Sequence, residues 1–226
     1  MTSVREPVLV VCAHGTDDAD GRRAVLDIAD EVRRARPGLR VECAYVDVQE
    51  PTAAQVVEQL TGEGHAVVVV PLLLSSGYHI QVDVADAVAP HEQATAAPAL
   101  GPAPELAEAL HDRVLETAAD DGRTLVLAAA GSSRTEAAED VERQAEHLRD
   151  VWKGEVVVGY LAGRPSVTDV VAAHPGAAVA SYLIGRGFFQ SRLEAVGAAD
   201  TAQPLGPHPA LIRLLLRRFD EARVVS

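Results

Sequence analysis

Residues 7–15 read Pro7-Val-Leu-Val-Val-Cys-Ala-His-Gly15, an apolar run that ends in histidine and glycine. A related run, Arg123-Thr-Leu-Val-Leu-Ala-Ala-Ala-Gly131, occurs in the second half of the chain. Uninterrupted apolar runs that end at a glycine are typical of strands buried on both faces of a parallel sheet. The pair therefore predicts two copies of one α/β unit, each of which opens with such a strand.

Further landmarks repeat in the same order along the two halves, which indicates an internal duplication. A short polar break at Asp120-Asp121-Gly122 separates the copies. The matching pairs are Val41–Tyr45 with Val156–Tyr160, Pro51 with Pro165, Leu72–His79 with Tyr182–Phe189, and Leu100–Pro104 with Leu205–Pro209.

Each half alternates strand and helix patterns, which predicts an α/β fold made of two tandem similar domains. Each domain is expected to be a four-stranded parallel sheet flanked by helices, with limits at residues 1–120 and 121–226. The first helix shows the periodicity best: it ends before Pro37-Gly38 and carries one apolar stripe. That stripe consists of Val25, Ile28, Val32 and Ala35.

The composition excludes several classes of protein. Among 226 residues, 48% are apolar, 23% are charged and 4% are aromatic, which is typical of a globular protein with an aliphatic core. A net charge of −13 argues against a nucleic-acid partner, because phosphates require a cationic face. The longest apolar run, 66–74, is far shorter than the ~20 residues of a membrane-spanning helix. The polar start at 1–7 argues against a signal peptide, so we expect a cytoplasmic protein.

Two histidines distinguish the first half from the second. His14 follows the first strand and His79 follows the third, whereas Ala130 and Phe189 occupy the matching positions of the second half. Sites in parallel α/β folds form beyond the carboxyl ends of the strands, where the first and third strands can lie side by side. Neutral imidazole binds iron, cobalt, nickel and zinc. A single histidine at a strand end is usually structural, but this pair predicts a metal site.

The sequence resembles the sirohydrochlorin chelatase family of class II chelatases, including its two-domain form. The resemblance is carried by Val8-Leu-Val-Val-Cys-Ala-His-Gly-Thr16 and by Val70-Pro-Leu-Leu-Leu-Ser-Ser-Gly-Tyr-His-Ile-Gln-Val-Asp83. It implies a class II chelatase-like fold and a lyase that inserts a divalent metal into sirohydrochlorin for siroheme or cobalamin biosynthesis. The metal is expected to be Fe²⁺ or Co²⁺, with Ni²⁺ as a further possibility. In the family the two motif histidines bind the metal and act in catalysis, which assigns both roles to His14 and His79.

Further residues are expected to serve the same site. Acidic residues after the second strand, Asp47 and Glu50, resemble the family pattern and are candidates for passing the metal inward or orienting an imidazole. Sirohydrochlorin carries many carboxylates, so its site needs hydrogen-bond donors at strand-to-helix turns. The candidate substrate-binding residues are Gly15, Thr16, Ser75, Ser76, Gly77 and Tyr78.

The resemblance also sets expectations for partners. We expect no organic cofactor, no membrane or nucleic-acid partner, and a monomer in which the two halves pack as a pseudo-dimer. The alternative is a non-catalytic tetrapyrrole or metal carrier with the same histidines. A histidine phosphatase is disfavoured because Ala13 precedes His14 where those enzymes usually have arginine. A Rossmann dinucleotide enzyme is disfavoured because no Gly-x-Gly-x-x-Gly motif follows Val11.

Overall fold

The computed structural model describes residues 6–75 and 78–224, and the side chains of the same residues except 78–80 and 224. Strands and helices alternate in both halves, as the sequence predicts. The first half contains β1 (Val8–Ala13), α1 (Ala19–Ala35), β2 (Val41–Tyr45), α2 (Ala53–Gly62), β3 (Val67–Pro71), α3 (Tyr78–Val88), β4 (Ala94–Ala96) and α4 (Pro104–Leu115). The second half contains β5 (Leu125–Ala129), α5 (Thr135–Arg149), β6 (Val156–Tyr160), α6 (Val167–Ala173), β7 (Ala178–Tyr182), α7 (Phe188–Glu194), β8 (Asp200–Thr201) and α8 (Pro209–Val224).

The strands form two parallel sheets with the same topology. Their orders are β2-β1-β3-β4 and β6-β5-β7-β8. In the first sheet β1 pairs with both β2 and β3, and β5 pairs with β6 and β7 in the second. The prediction of two four-stranded parallel sheets flanked by helices is confirmed.

The core of the first sheet is aliphatic, as the low aromatic content predicts. All residues of β1 and β3 are buried, because helices cover both faces of these central strands. On one face, Val10 and Val69 pack with Val57 of α2 and Val84 of α3. These contacts fix the positions of the two helices relative to the carboxyl ends of β1 and β3.

Helix α1 shows where the predicted stripe holds and where it is wrong. The Asp18 side chain caps the helix by accepting a hydrogen bond of 2.9 Å from the amide of Gly21. The predicted Val25, Ile28 and Val32 are buried, but Ala35 is exposed. Ala35 is the last helical residue, so the end of the helix runs past the edge of the apolar surface that its centre covers.

The second sheet has a core of its own. Every residue of β5 and β7 is buried. One hydrophobic cluster joins Val126 of β5 and Val179 of β7 to Leu193 of α7, and Ala130 and Phe189 pack against it.

The compact units of the structure are not continuous segments. Residues 6–73, 78–100 and 212–224 form a first unit, and residues 74–75 and 101–211 form a second unit. Helix α4 accordingly packs against α5 and β7, although the repeat places it with the first half. Within the first unit, Arg36 at the end of α1 forms an ion pair of 2.6 Å with Asp220 of α8. The limits 1–120 and 121–226 describe the repeats, and as domain limits they stay a prediction.

Two further observations concern expectations from the sequence. Cys12 and Cys43 are free thiols, and Cys12 is buried. Across residues 6–75 and 78–224, no helix is both long enough and apolar enough to cross a membrane.

Candidate functional site

The two histidines follow neighbouring strands of the first sheet. His14 comes directly after β1, and its side chain is exposed. His79 is the second residue of α3, which is the helix that follows β3. Because β1 and β3 are adjacent and parallel, with Cys12 paired to Pro71, both segments leave the same edge of the sheet. The side chain of His79 lies outside the described residues, so a common site for the two imidazoles stays a prediction.

The second repeat gives independent information on these two positions. Ala130 directly follows β5, and Phe189 is the second residue of α7. These counterparts of His14 and His79 pack against the same hydrophobic cluster. Since the strands of the two repeats pair in the same way, the matching positions of the first repeat are expected to face one region.

The loop that carries His14 is held by backbone contacts. The amide of Asp47 donates a hydrogen bond of 2.9 Å to the carbonyl oxygen of His14. The next residue, Gly15, has a φ of 98°, and a Cβ there would overlap the carbonyl oxygen of Asp47. Position 15 therefore requires glycine for two reasons, its backbone conformation and its close contact with the second strand's loop.

The second repeat has the same loop geometry, although alanine stands at the position of the histidine. Ala162 donates a hydrogen bond of 2.8 Å to the carbonyl oxygen of Ala130, and Gly131 has a φ of 97°. The backbone geometry of this loop is thus common to both repeats. The imidazole of His14 occurs only in the first repeat's copy of the loop.

Thr16 is linked to the same neighbouring loop. Its amide donates a hydrogen bond of 2.9 Å to Oε1 of Gln49, and its hydroxyl oxygen accepts one of 3.1 Å from the amide of Asp18. The amide of Thr16 is therefore engaged within the protein, and its hydroxyl proton is the donor left for a ligand. Gln49 was not anticipated from the sequence, because no local pattern identifies a side chain that bridges two loops.

The two candidate metal-relay carboxylates lie in the loop after β2 and are exposed. Asp47 Oδ1 accepts a hydrogen bond of 2.7 Å from the amide of Val48, and Glu50 Oε2 accepts one of 3.2 Å from the amide of Thr52. Both carboxylates thus stabilise their own turn, which is a common role for acidic loop residues. Asp47 also contacts the histidine loop, because its backbone amide donates a hydrogen bond to the carbonyl oxygen of His14.

The loop before His79 is described only in part. Ser75 is half-buried, whereas Ser76 and Gly77 lie outside the described residues, as does the side chain of Tyr78. The roles expected for these residues in substrate binding stay predictions. The carbonyl oxygen of Leu74, just before this segment, accepts a hydrogen bond of 2.6 Å from the Tyr182 hydroxyl.

Cys12 is the nearest sulfur to the histidine loop in sequence, and its environment disfavours metal binding. Burial raises the pKa of its thiol to about 12, and the negative charge of Asp83 on α3 adds to the effect. A thiol must lose its proton to bind metal strongly, so Cys12 is a core residue. Among the side chains that the structure describes, no group of three or more His, Cys, Asp and Glu residues is arranged to hold a metal ion.

Comparison with known proteins places the chain in a family. The sequence model of the CbiX family matches residues 8–117 and 124–222, which are the two repeats. The chain belongs to the CbiX family. A CbiX-family assignment agrees with the resemblance carried by the His14 and His79 motifs and with the duplicated fold.

Individual relatives of this CbiX-family chain are distant. A sirohydrochlorin cobaltochelatase of Methanosarcina barkeri is 29% identical over 77 residues, which cover 34% of this chain and 59% of that protein. The fold is similar to that of SirB from Bacillus subtilis with Fe³⁺, with a TM-score of 0.79, 19% identity, and coverage of 96% of this chain and 95% of that one. SirB of Bacillus subtilis subspecies spizizenii in complex with cobalt gives a TM-score of 0.78 and 20% identity, with 96% and 94% coverage. CbiX, the terminal enzyme of siroheme biosynthesis in denitrifying bacteria, gives a TM-score of 0.71 and 19% identity, with coverage of 95% of this chain and 99% of that one.

Proposed function

We propose that this CbiX-family protein is a chelatase that inserts Fe²⁺ or Co²⁺ into sirohydrochlorin, for siroheme or cobalamin biosynthesis. The observation that carries the proposal is the placement of His14 and of the helix bearing His79 after two adjacent parallel strands. The CbiX family assignment and the sirohydrochlorin cobaltochelatase of Methanosarcina barkeri support sirohydrochlorin as the substrate. The match with that relative spans 59% of its length.

His14 and His79 are proposed to hold the divalent ion and to assist its transfer. Metal insertion places one M²⁺ in the macrocycle and releases two pyrrole N–H protons, so the site needs both a metal ligand and a proton acceptor. An imidazole can do either near neutral pH. Two protein ligands leave coordination positions open for the nitrogens of the incoming macrocycle.

Asp47 and Glu50 are proposed to guide the metal toward the histidines or to orient an imidazole. Their exposure suits the capture of a hydrated cation from solvent. The backbone hydrogen bond from Asp47 to His14 keeps one of the two carboxylates close to the histidine loop. Carboxylates with this outer role commonly set ligand orientation and metal affinity.

The carboxylates of the tetrapyrrole are proposed to meet donors at the strand-to-helix turns. Thr16 offers its hydroxyl, and Gly15 is proposed to offer its backbone amide at the same turn. The other proposed contacts come from the segment before and at the start of α3, namely Ser75, Ser76, Gly77 and Tyr78.

Several finer features belong to the same proposal. Ni²⁺ is a further possible metal, because imidazole accepts it and affinity alone does not set the metal used in cells. Independence from an organic cofactor, location in the cytoplasm, and a monomer with the halves packed as a pseudo-dimer stay predictions.

The test is a metallation assay with the purified chain, sirohydrochlorin and Co²⁺ under anaerobic conditions. The absorbance change of the macrocycle measures the rate. We expect the rate to exceed that of the uncatalysed reaction and to rise in proportion to protein concentration. Binding of the tetrapyrrole without any acceleration would support the carrier instead. Repeating the assay with Fe²⁺ and Ni²⁺ ranks the metals by kcat/KM.

A further inference from the structure

The loops at the carboxyl edge of the second sheet carry arginine and no acidic residue. They follow β5, β6 and β7 and span residues 130–134, 161–166 and 183–187. Their basic residues, one in each loop, are Arg134, Arg164 and Arg186. In a chain whose net charge is −13, three neighbouring loops without a carboxylate reverse the overall charge locally.

The matching loops of the first repeat have the opposite charge. Residues 14–18 and 46–52 follow β1 and β2 and contain no Lys or Arg. Their acidic residues are Asp17, Asp18, Asp47 and Glu50. Because the two repeats share one strand order, these loops occupy equivalent places in their own sheets. The first repeat therefore has an edge suited to a cation, and the second repeat has an edge suited to an anion.

The three arginine-bearing loops leave one edge of a single sheet. Ala129 at the end of β5 pairs with Tyr160 of β6 on one side and with Tyr182 of β7 on the other. All three strands are parallel, so the β5 loop begins between the other two. Neighbouring strands are about 4.8 Å apart, which places the starts of the β6 and β7 loops roughly 10 Å apart. A ligand that contacts both loops must be wider than a single aromatic ring.

Phe188, the first residue of α7, adds an aromatic face to this edge. It is 69% exposed, more than any other large hydrophobic residue in the described part of the chain. The guanidinium group of Arg192, one helical turn later, lies over its ring at 5.6 Å from the centroid. Arg192 is itself exposed. An aromatic ring left in solvent beside a cation suits a flat, anionic ligand, because covering the ring is favourable.

The loop arginines differ in how firmly the protein holds them. Arg134 and Arg186 form ion pairs of 3.5 and 2.9 Å with carboxylates of the helices that follow their loops. The Arg164 side chain is 91% exposed, and its ion pair with Asp169 is long, at 4.0 Å. An exposed pair of this kind contributes little to stability, so a carboxylate ligand can take the place of Asp169. Arg164 is therefore the loop arginine best placed to bind a ligand from solvent.

We propose that the carboxyl edge of the second sheet binds a flat polycarboxylate, with Phe188 against its ring and Arg164 and Arg192 at its carboxylates. The inference rests on the proposed function, because that function supplies a ligand of this chemistry, the tetrapyrrole. A macrocycle is wide enough to reach both the β6 and the β7 loops. Guanidinium groups bind carboxylates through charge-assisted hydrogen bonds, and the aromatic ring packs on the flat face. All three residues belong to the second unit.

The test is equilibrium dialysis of metal-free sirohydrochlorin against the full chain, at low and at high KCl. We expect Phe188→Ala to weaken binding about 10-fold and Phe188→Tyr to stay within about twofold of the wild type, because the ring is kept. Arg164→Gln and Arg192→Gln should each weaken binding about 5-fold at low salt. Their effects should shrink at high salt, since salt screens exposed charges.

Lys153→Gln and Val151→Ala are the matched controls. Both residues lie between α5 and β6, at the opposite edge of the same sheet. They remove one exposed positive charge and one exposed apolar side chain, and both variants should bind sirohydrochlorin like the wild type. The fully esterified macrocycle, which has no carboxylates, should bind more weakly and should not respond to Arg164→Gln.

Dialysis without metal separates this inference from the proposed function. A chain that binds sirohydrochlorin through Phe188 and Arg164 but does not metallate it would support the binding site and contradict the enzyme. Metallation by the wild type, together with wild-type affinity in Phe188→Ala and in the double variant of Arg164→Gln with Arg192→Gln, would overturn the inference alone. An equal loss in Lys153→Gln would also overturn it, because only the general charge would then matter. Absence of binding to the wild type would overturn both.

Discussion

Ala130 and Phe189 pack against one hydrophobic cluster of the second repeat, although α5, β6, α6 and β7 separate them in the chain. Each replaces a histidine of the first repeat, and each keeps the same place relative to its strand. The matching positions are histidines in the first repeat, whereas the apolar pair packs with the core of the second repeat. From this relationship we expect the positions of His14 and His79 to face one region of the first repeat.

Gly15 is predicted to be essential for the shape of the histidine loop. Gly15→Ala would place a Cβ against the carbonyl oxygen of Asp47 in a backbone conformation with a φ of 98°. Gly38→Ala is the matched control, because Gly38 has a φ of 94° but no atom lies within 4 Å of the added Cβ.

The two glycine variants separate backbone strain from steric overlap. Gly38→Ala should cost about 1–2 kcal/mol in the free energy of unfolding by urea, which is the price of a left-handed conformation. Gly15→Ala should cost roughly 2 kcal/mol more, because a packed backbone must also move. Equal losses in the two variants would contradict the close contact between the loops.

The carboxylate of Asp47 is predicted to affect the metal more than the macrocycle. Asp47→Asn keeps an acceptor for the Val48 amide but removes the charge, so KM for Co²⁺ should rise about 10-fold while KM for sirohydrochlorin changes little. Glu50→Gln tests the second carboxylate in the same assay. Asp17→Asn, an exposed aspartate whose partner is Arg22, is the control for the general charge of the surface. Unchanged KM for Co²⁺ in both Asp47→Asn and Glu50→Gln would remove the relay role.

Cys12 is predicted to be inert as a ligand and to lower stability at high pH. Its pKa is raised from 9.0 to about 12, so the folded state keeps the proton that the unfolded state loses above pH 9. The contribution to stability is complete below pH 9 and is lost as the pH rises toward 12. Cys12→Ala should therefore show a smaller loss of the free energy of unfolding between pH 8 and pH 10, with unchanged Co²⁺ binding. A loss of Co²⁺ binding in this variant would make the thiol a ligand.

Helix α8 is predicted to be required for the stability of the first unit. Phe219 of α8 is completely buried and lies beneath the guanidinium groups of Arg36 and Arg223, at 5.7 and 5.8 Å from the ring centroid. Phe219→Ala in the full chain should cost about 3–5 kcal/mol in the free energy of unfolding. A fragment of residues 1–120 lacks this helix and should not unfold cooperatively in urea. Cooperative unfolding of the fragment would favour the continuous domain limits 1–120 and 121–226.

The sequence predicted the sheets better than the partners of the helices. Apolar runs such as Val67–Val70 identify central strands, because only a sheet covered on both faces buries every residue. Periodicity tells which face of α4 or α8 is buried, but it contains no information on which unit covers that face. The error at Ala35 has a related cause, since the pattern continues beyond the point where the helix leaves the core.

In the candidate site, too, the sequence predicts the residues that a local pattern identifies, but not those whose roles depend on contacts with distant segments. His14 and His79 were found because the repeat provides an internal comparison with Ala130 and Phe189. Gln49 and Tyr182 were not found, because their roles depend on hydrogen bonds to distant segments of the chain. Nothing in the residues next to Tyr182 identifies Leu74 as its acceptor.

The most direct test of the central claim is the metallation rate of His14→Ala and His79→Ala, with Phe189→Ala as the matched control in the second repeat. Each histidine variant should lose at least about 100-fold in kcat/KM with sirohydrochlorin and Co²⁺ while retaining the wild-type circular dichroism spectrum, since each removes a ligand of one site. Phe189→Ala should stay within about twofold, because its ring belongs to a hydrophobic cluster and not to the chemistry. Wild-type turnover in both histidine variants would contradict the assignment of this site.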